Sequence, residues 1–216
     1  MTGSMLDMIA KSFPLRELPC GEYEKMKVSG MNFRIRRFHA EGLGAVSEMV
    51  ASGFFGLMKM DTLIITPTEK DMPLFSYDRV LAMGNDTLIF ELYDTLLGTA
   101  DLSKLDEVKE KAAYLPDHDL GEHWYDSIKL PQSLSKKGKK KDRPGFDATV
   151  LHYLAKFLET ASEAPACEAE PKREKASVYV EGLLKNGGPS TDVFKKGIGD
   201  EKTAQLFRKI LFATEE

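Results

Sequence analysis

The sequence predicts a single α/β sandwich around a largely antiparallel sheet, with no division into two domains. Three observations predict it. Apolar, β-branched runs joined by short turns fill residues 23–93. Short connections favour antiparallel neighbours, because a parallel partner needs a long crossover. After Asp94 the apolar spacing turns helical and stays so to the end. The 216 residues contain no internal repeat and suit one domain, 1–216.

Leu6–Phe13 reads as a short helix stopped by Pro14. Tyr23–Val28 and Met31–Phe38, separated by Ser29-Gly30, read as a hairpin. Ala45–Ala51 reads as a helix ending near Gly53. Leu57–Thr66 is a strand closed by Pro67, and Leu74–Ala82 follows Pro73. Gly84-Asn85-Asp86 is a turn that leads into a strand over Thr87–Tyr93. Leu102, Leu105, Val108 and Ala112 recur at helical spacing, with Asp101 or Ser103 as the cap. Trp124–Leu130 reads as a last strand or an extended segment. Residues 133–145 form a basic, exposed, flexible loop. Phe146–Ala161 and Glu174–Lys185 are helices, the second closed by Asn186-Gly187-Gly188. Ser190–Gly197 and Glu201–Ala213 add two more.

Composition removes several classes. Hydrophobic residues at 42% and charged residues at 30% describe a globular chain, and a net charge of -4 gives no global field for nucleic acid. Cys20 and Cys167 stand alone, with no Cys/His cluster for zinc or an iron–sulfur centre. His39, His118, His123 and His152 have no ligand spacing, so no metal site is expected. No apolar run is long enough to cross a bilayer and no signal peptide opens the chain, so a cytoplasmic protein with no membrane partner is the expectation. No coiled-coil seam or long apolar helix suggests an obligate assembly, so a monomer is expected.

Two stretches resemble the ferredoxin-dependent bilin reductases. The first is Leu63-Ile64-Ile65-Thr66-Pro67 followed by Met72-Pro73-Leu74-Phe75-Ser76-Tyr77-Asp78. The second is Asn186-Gly187-Gly188-Pro189, then Val193-Phe194-Lys195-Lys196-Gly197-Ile198-Gly199 and a closing Ile210-Leu211-Phe212. The resemblance implies a three-layer α/β/α sandwich with a linear tetrapyrrole, biliverdin or a related bilin, between the sheet and the C-terminal helices. It implies no bound cofactor, because the conjugated substrate takes electrons from an external reduced ferredoxin or flavodoxin. It makes Asp78 the proton donor and Glu48 a second acid. Thr62 falls where some members have a pocket histidine, beside Asp61, and Gly188 where some have a second acid. Ser76 and Pro189 join Thr62 and Asp61 as expected substrate contacts.

The residues carry a reading of their own. Leu74, Ser76, Asp78 and Val80 share one face of a strand, opposite Phe75 and Tyr77. An aspartate on a largely apolar face is desolvated, which favours its protonated, proton-donating form. Pattern alone favours an edge-strand aspartate paired with Arg79 or a lysine, or solvated; the resemblance reverses that preference. Arg34 and Arg36 can meet tetrapyrrole propionates or face water. Lys136, Lys137, Lys139, Lys140, Lys141 and Arg143 form a basic cluster. Its plainest reading is a solvated loop. Docking of an acidic electron donor ranks second and nucleic acid third, since no aromatics interleave. Two alternatives stand beside the reductase: a non-catalytic tetrapyrrole carrier or sensor, and a reductase of another open-chain tetrapyrrole such as a chlorophyll catabolite.

Overall fold

The structure, a computed structural model, describes residues 1–215; the side chain of Pro189 lies outside the described residues. The strands are β1 Leu15–Leu18, β2 Lys25–Val28, β3 Met31–Ala40, β4 Gly44–Gly53, β5 Met58–Pro67, β6 Leu74–Ala82, β7 Asn85–Tyr93 and β8 Leu134–Lys139. The helices are α1 Thr2–Ser12, α2 Ser103–Lys111, α3 Arg143–Glu163, α4 Ala169–Asn186, α5 Pro189–Ile198 and α6 Asp200–Gln205, which runs into a π-helical turn at Leu206–Leu211. The strands form one antiparallel sheet in the order β1-β3-β4-β5-β6-β7-β8, with β2 also paired to β3. Helices cover both faces, so the α/β/α sandwich is as expected.

Strand alternation divides the core in two. Val46, Leu63, Phe75, Tyr77 and Phe90 point toward α1, α2 and α3. There Phe90 stacks on Tyr153 at 4.3 Å and Phe75 meets Phe157 at 4.8 Å between ring centroids. Ile35, Met49, Ile64, Leu74 and Tyr93 point the other way, toward α4, α5 and the π-helical turn. There Tyr93 stacks on Tyr179 at 3.9 Å and Phe33 meets Phe194 at 4.9 Å.

Two expectations fail. Ala45–Ala51 is not a helix but the middle of β4, whose ten residues pair with both β3 and β5. A strand covered on both faces loses the polar alternation that announces a strand, and tertiary pairing overrides local propensity. Residues 133–145 are not a free loop. Leu134–Lys139 is the edge strand β8, paired to β7, and Arg143 already begins α3. Lysine-rich edge strands discourage pairing with other chains, so lysine there is compatible with a strand.

α4 is pinned by a buried charge. Lys172 is 1% exposed, and its Nζ donates to Met72 O (2.7 Å), Thr95 O (2.6 Å) and Asp71 Oδ1 (3.3 Å). Asp71 in turn accepts from the amides of Leu97 and Gly98. The ammonium thus ties the loops after β5 and β7 to the start of α4. Lys172→Met leaves Asp71 buried without its cation and should cost about 3–5 kcal/mol. Urea denaturation measures this; a midpoint unchanged from wild type would show that the cluster does not hold α4.

Candidate active site

β5, β6 and β7 place four polar side chains on the face turned toward α4. Thr62 is paired across strands with Asp78, and Ser76 with Glu91. Alternation along β6 puts Ser76 and Asp78 on that face and Tyr77 and Arg79 on the other. The polar group lies on the floor of a cavity roofed by Tyr179, Leu183, Phe207, Leu211 and Phe212. Leu120, His123, Gly188 and Ser190, all half-buried, also line it. The cavity holds about 230 Å³, within some 990 Å³ of unfilled space that continues to solvent.

The roof is held by backbone acceptors. Arg37 Nη1 donates to Lys209 O at 2.6 Å, and Ser47 Oγ donates to Leu211 O at 2.7 Å. Both bonds fix the π-helical turn against β3 and β4. A π-turn widens the helix locally and often marks a functional site. Here it carries Phe207 and Leu211 to the cavity. The opposite wall is aromatic: Tyr125 meets Tyr93 edge-on at 5.6 Å and stacks with His123 at 4.8 Å.

Protein surrounds the Asp78 carboxyl, and its open side is the cavity. Burial pushes its pKa up to about 6, and the nearby Glu91 charge adds to the rise, while hydrogen bonds from Thr62 and Ser76 pull the other way. Thr62 Oγ1 donates to Asp78 Oδ1. Glu91 Oε2 accepts a 2.6 Å bond from Tyr93 Oη, whereas Glu91 Oε1 is buried with no hydrogen-bond partner. Lys129 Nζ stands 3.9 Å from that oxygen. The floor therefore carries one carboxyl, Asp78, that is held toward its neutral form in an aromatic-walled cavity.

Asp78, Thr62 and Ser76 come together as expected. Glu48 does not: it is buried on the opposite face, in register with Leu63, and 3.8 Å from both Arg34 and Arg36. The expectation fails because β4 is a strand whose parity turns Glu48 away from Asp78. Arg34 and Arg36 share that opposite face; Arg36 grips Glu17 through two bonds of 2.7 and 2.8 Å and lies over the Phe38 ring. Asp61 pairs across strands with Arg79 and also points away from the cavity floor. Pro189 opens α5 between the lining residues Gly188 and Ser190, with its side chain outside the described residues.

The basic cluster divides. Lys136 is 5% exposed and donates to Leu115 O and Asp117 Oδ1, so it is an internal clamp and not a docking residue. Arg143 is half-buried, 3.4 Å from Asp86. Lys137, Lys139, Lys140 and Lys141 are exposed. Sequence reasoning missed Glu91, Tyr93 and Tyr179. Glu91 was within reach: counting back from the Gly84 turn places it opposite Ser76. Among the described residues, no group of three His, Cys, Asp or Glu side chains could hold a metal ion.

The raised pKa has a consequence for stability. An Asp78 pKa above its unfolded value means the native state binds the extra proton between about pH 4 and 6. Stability from this group is therefore full below about pH 4 and lost as pH rises through about 6. Asp78→Asn should stabilise the chain at pH 8 by on the order of 2 kcal/mol, less than the full shift because the carboxyl is partly accessible. Guanidinium titrations at pH 8 and pH 4 should show that gain at the first and not at the second. Equal midpoint differences at both would contradict a raised pKa.

No family model matches the chain, and no curated protein matches it in sequence. Among solved structures it resembles phytochromobilin synthase from tomato, crystallised in complex with biliverdin. The TM-score is 0.78 at 14% identity, covering 99% of this chain and 82% of that one. The likeness establishes a shared fold over essentially the whole chain.

Proposed function

We propose that the chain is a bilin reductase that takes single electrons from an acidic ferredoxin or flavodoxin and protonates a linear tetrapyrrole from Asp78. One observation carries this reading: a carboxyl with a pKa near 6 sits on the floor of an aromatic-walled cavity between the sheet and the C-terminal helices. The fold is that of a protein solved with biliverdin, which supports the choice of substrate class. Reduction of one double bond takes two electrons and two protons. The donor supplies the electrons one at a time, and the conjugated substrate holds them. Asp78 gives the first proton. Solvent re-protonates Asp78 through the open side of the cavity for the second.

The cavity's 230 Å³ falls below the roughly 300–1,000 Å³ of small-molecule sites. Entry of a tetrapyrrole therefore requires the cavity to widen. Displacing solvent from Asp78 raises its pKa again, which keeps the proton in place until an electron arrives. A second reading, a tetrapyrrole carrier, is favoured by Thr62 and Gly188, neither of which can donate as an acid.

Mixing the chain with biliverdin should shift the visible spectrum, and reduced ferredoxin added anaerobically should then bleach it. A bound spectrum indifferent to reduction identifies the carrier; no shift on mixing removes the bilin reading. Asp78→Asn should still bind but lose roughly 10²–10⁴-fold in turnover, the usual weight of a general acid. Wild-type single-turnover rates should fall about tenfold per pH unit above the pKa of the bound enzyme's acid. A flat profile, or full turnover in the variant, would remove Asp78 from the chemistry.

A further inference from the structure

One end of the sheet presents an apolar tip. β4 and β5 are closed by Gly53 and Met58, and the turn between them is Phe54-Phe55-Gly56-Leu57. Phe54 and Phe55 have φ values of 51° and 55°, in the left-handed region that glycine or asparagine enters more readily. Phe55 is fully exposed, Phe54 is 57% exposed and Leu57 71%. Met58 pairs with Ala82, so the next hairpin tip stands beside this one. It carries Met83, 90% exposed and also left-handed at φ 50°. Four apolar side chains thus project together from two adjacent turns, at a backbone cost that other residues would avoid. Isolated exposed apolar residues are ordinary; a contiguous, strained group is a contact surface.

The flanks are basic. On one side an open basin of about 660 Å³ is lined by Lys25, Lys27, Arg34 and Lys59, with Asp61 as its acidic member. On the other, exposed Lys139 pairs with Asn85 beside the Met83 turn, and exposed Lys140 and Lys141 follow. Asp142 is turned back to accept from the Lys139 amide.

We infer that this end of the sheet is a peripheral docking surface for an anionic lipid bilayer. The tip is a projecting pair of turns, which suits a soft apolar medium better than a preformed complementary groove. Aromatic side chains favour the headgroup level of a bilayer, and lysines near it are drawn to anionic lipids. Phe54, Phe55, Leu57 and Met83 enter the boundary between headgroups and acyl chains. The basin of Lys25, Lys27, Arg34 and Lys59 receives headgroups. Apolar insertion and basic attraction together supply the two signals that stable attachment needs. This inference is independent of the bilin reading, because none of these residues belongs to the cavity floor or roof.

Flotation of the full chain tests it, with vesicles of phosphatidylcholine alone and of phosphatidylcholine with phosphatidylserine. The chain should float with the phosphatidylserine vesicles and not with the neutral ones, and raised salt should release it. Phe54→Ser/Phe55→Ser should weaken flotation at least about tenfold, the order expected for withdrawing two aromatic side chains from an apolar medium. Phe55→Gly should weaken flotation while raising the melting temperature, because it relieves the left-handed backbone; a merely structural role would not split the two readouts. Failure to float, or flotation unchanged in the double variant, overturns the inference. So does concentration-dependent self-association that the double variant abolishes without any vesicle binding, which would make the tip a contact between two copies.

Discussion

The register of β6 is the constraint on which the site depends. Arg79 is buried and grips Asp86 through two bonds of 2.9 and 2.8 Å, and it also reaches Asp147 on α3. Asp86 is itself fully buried on β7. A one-residue slip of β6 would carry the guanidinium to the α4 face and bring Asp78 into the aromatic layer beneath α3. It would strand Asp86 as well, and breaking a buried pair in that way costs about 3–5 kcal/mol. The ion pair on one face of the sheet thereby fixes which carboxyl faces the cavity on the other. Its worth lies less in net stability than in specifying a single register.

The two helical layers solve different problems on the same sheet. Beneath α1 and α3 the sheet presents Phe75, Tyr77 and Phe90, and the aromatic rings fill that layer. Beneath α4 the middle strands present Thr62, Ser76, Asp78 and Glu91 instead, and no apolar plug covers them. Polar groups without close partners cost stability. The fully packed layer and the Lys172 clamp offset that cost from outside the cavity. This is the pattern expected where a local rule of packing is broken for function.

Legibility followed exposure and parity. The hairpins β2–β3 and β6–β7 were readable because their turns carry glycine and their flanks alternate. Asp78 was readable because its neighbours Leu74 and Val80 declared its face. β4 was not, since Gly44–Gly53 is covered on both sides and its alanines and glutamate mimic a helix. That single error displaced Glu48 to the wrong face of the sheet. β8 was hidden differently: Leu134, Lys136 and Gly138 alternate inward, but a lysine at an inward position reads as a loop until its ammonium is seen to reach Leu115 O and Asp117. Tyr179 could not be placed at all, because which helix face roofs a sheet is settled by tertiary packing.

Burial raises the Asp78 pKa, and the charge of Glu91 adds to the rise. A second negative charge on the neighbouring strand of one floor makes ionisation of Asp78 costlier in a desolvated cavity. Tyr93 donates to one Glu91 oxygen, and Lys129 Nζ stands 3.9 Å from the other. Thr62 donates to Asp78, which favours its charged form. Burial and the Glu91 charge oppose the Thr62 and Ser76 hydrogen bonds, and near pH 6 the Asp78 proton is close to balance between the neutral and ionised forms. Displacing solvent from the floor would tip that balance further toward the neutral acid.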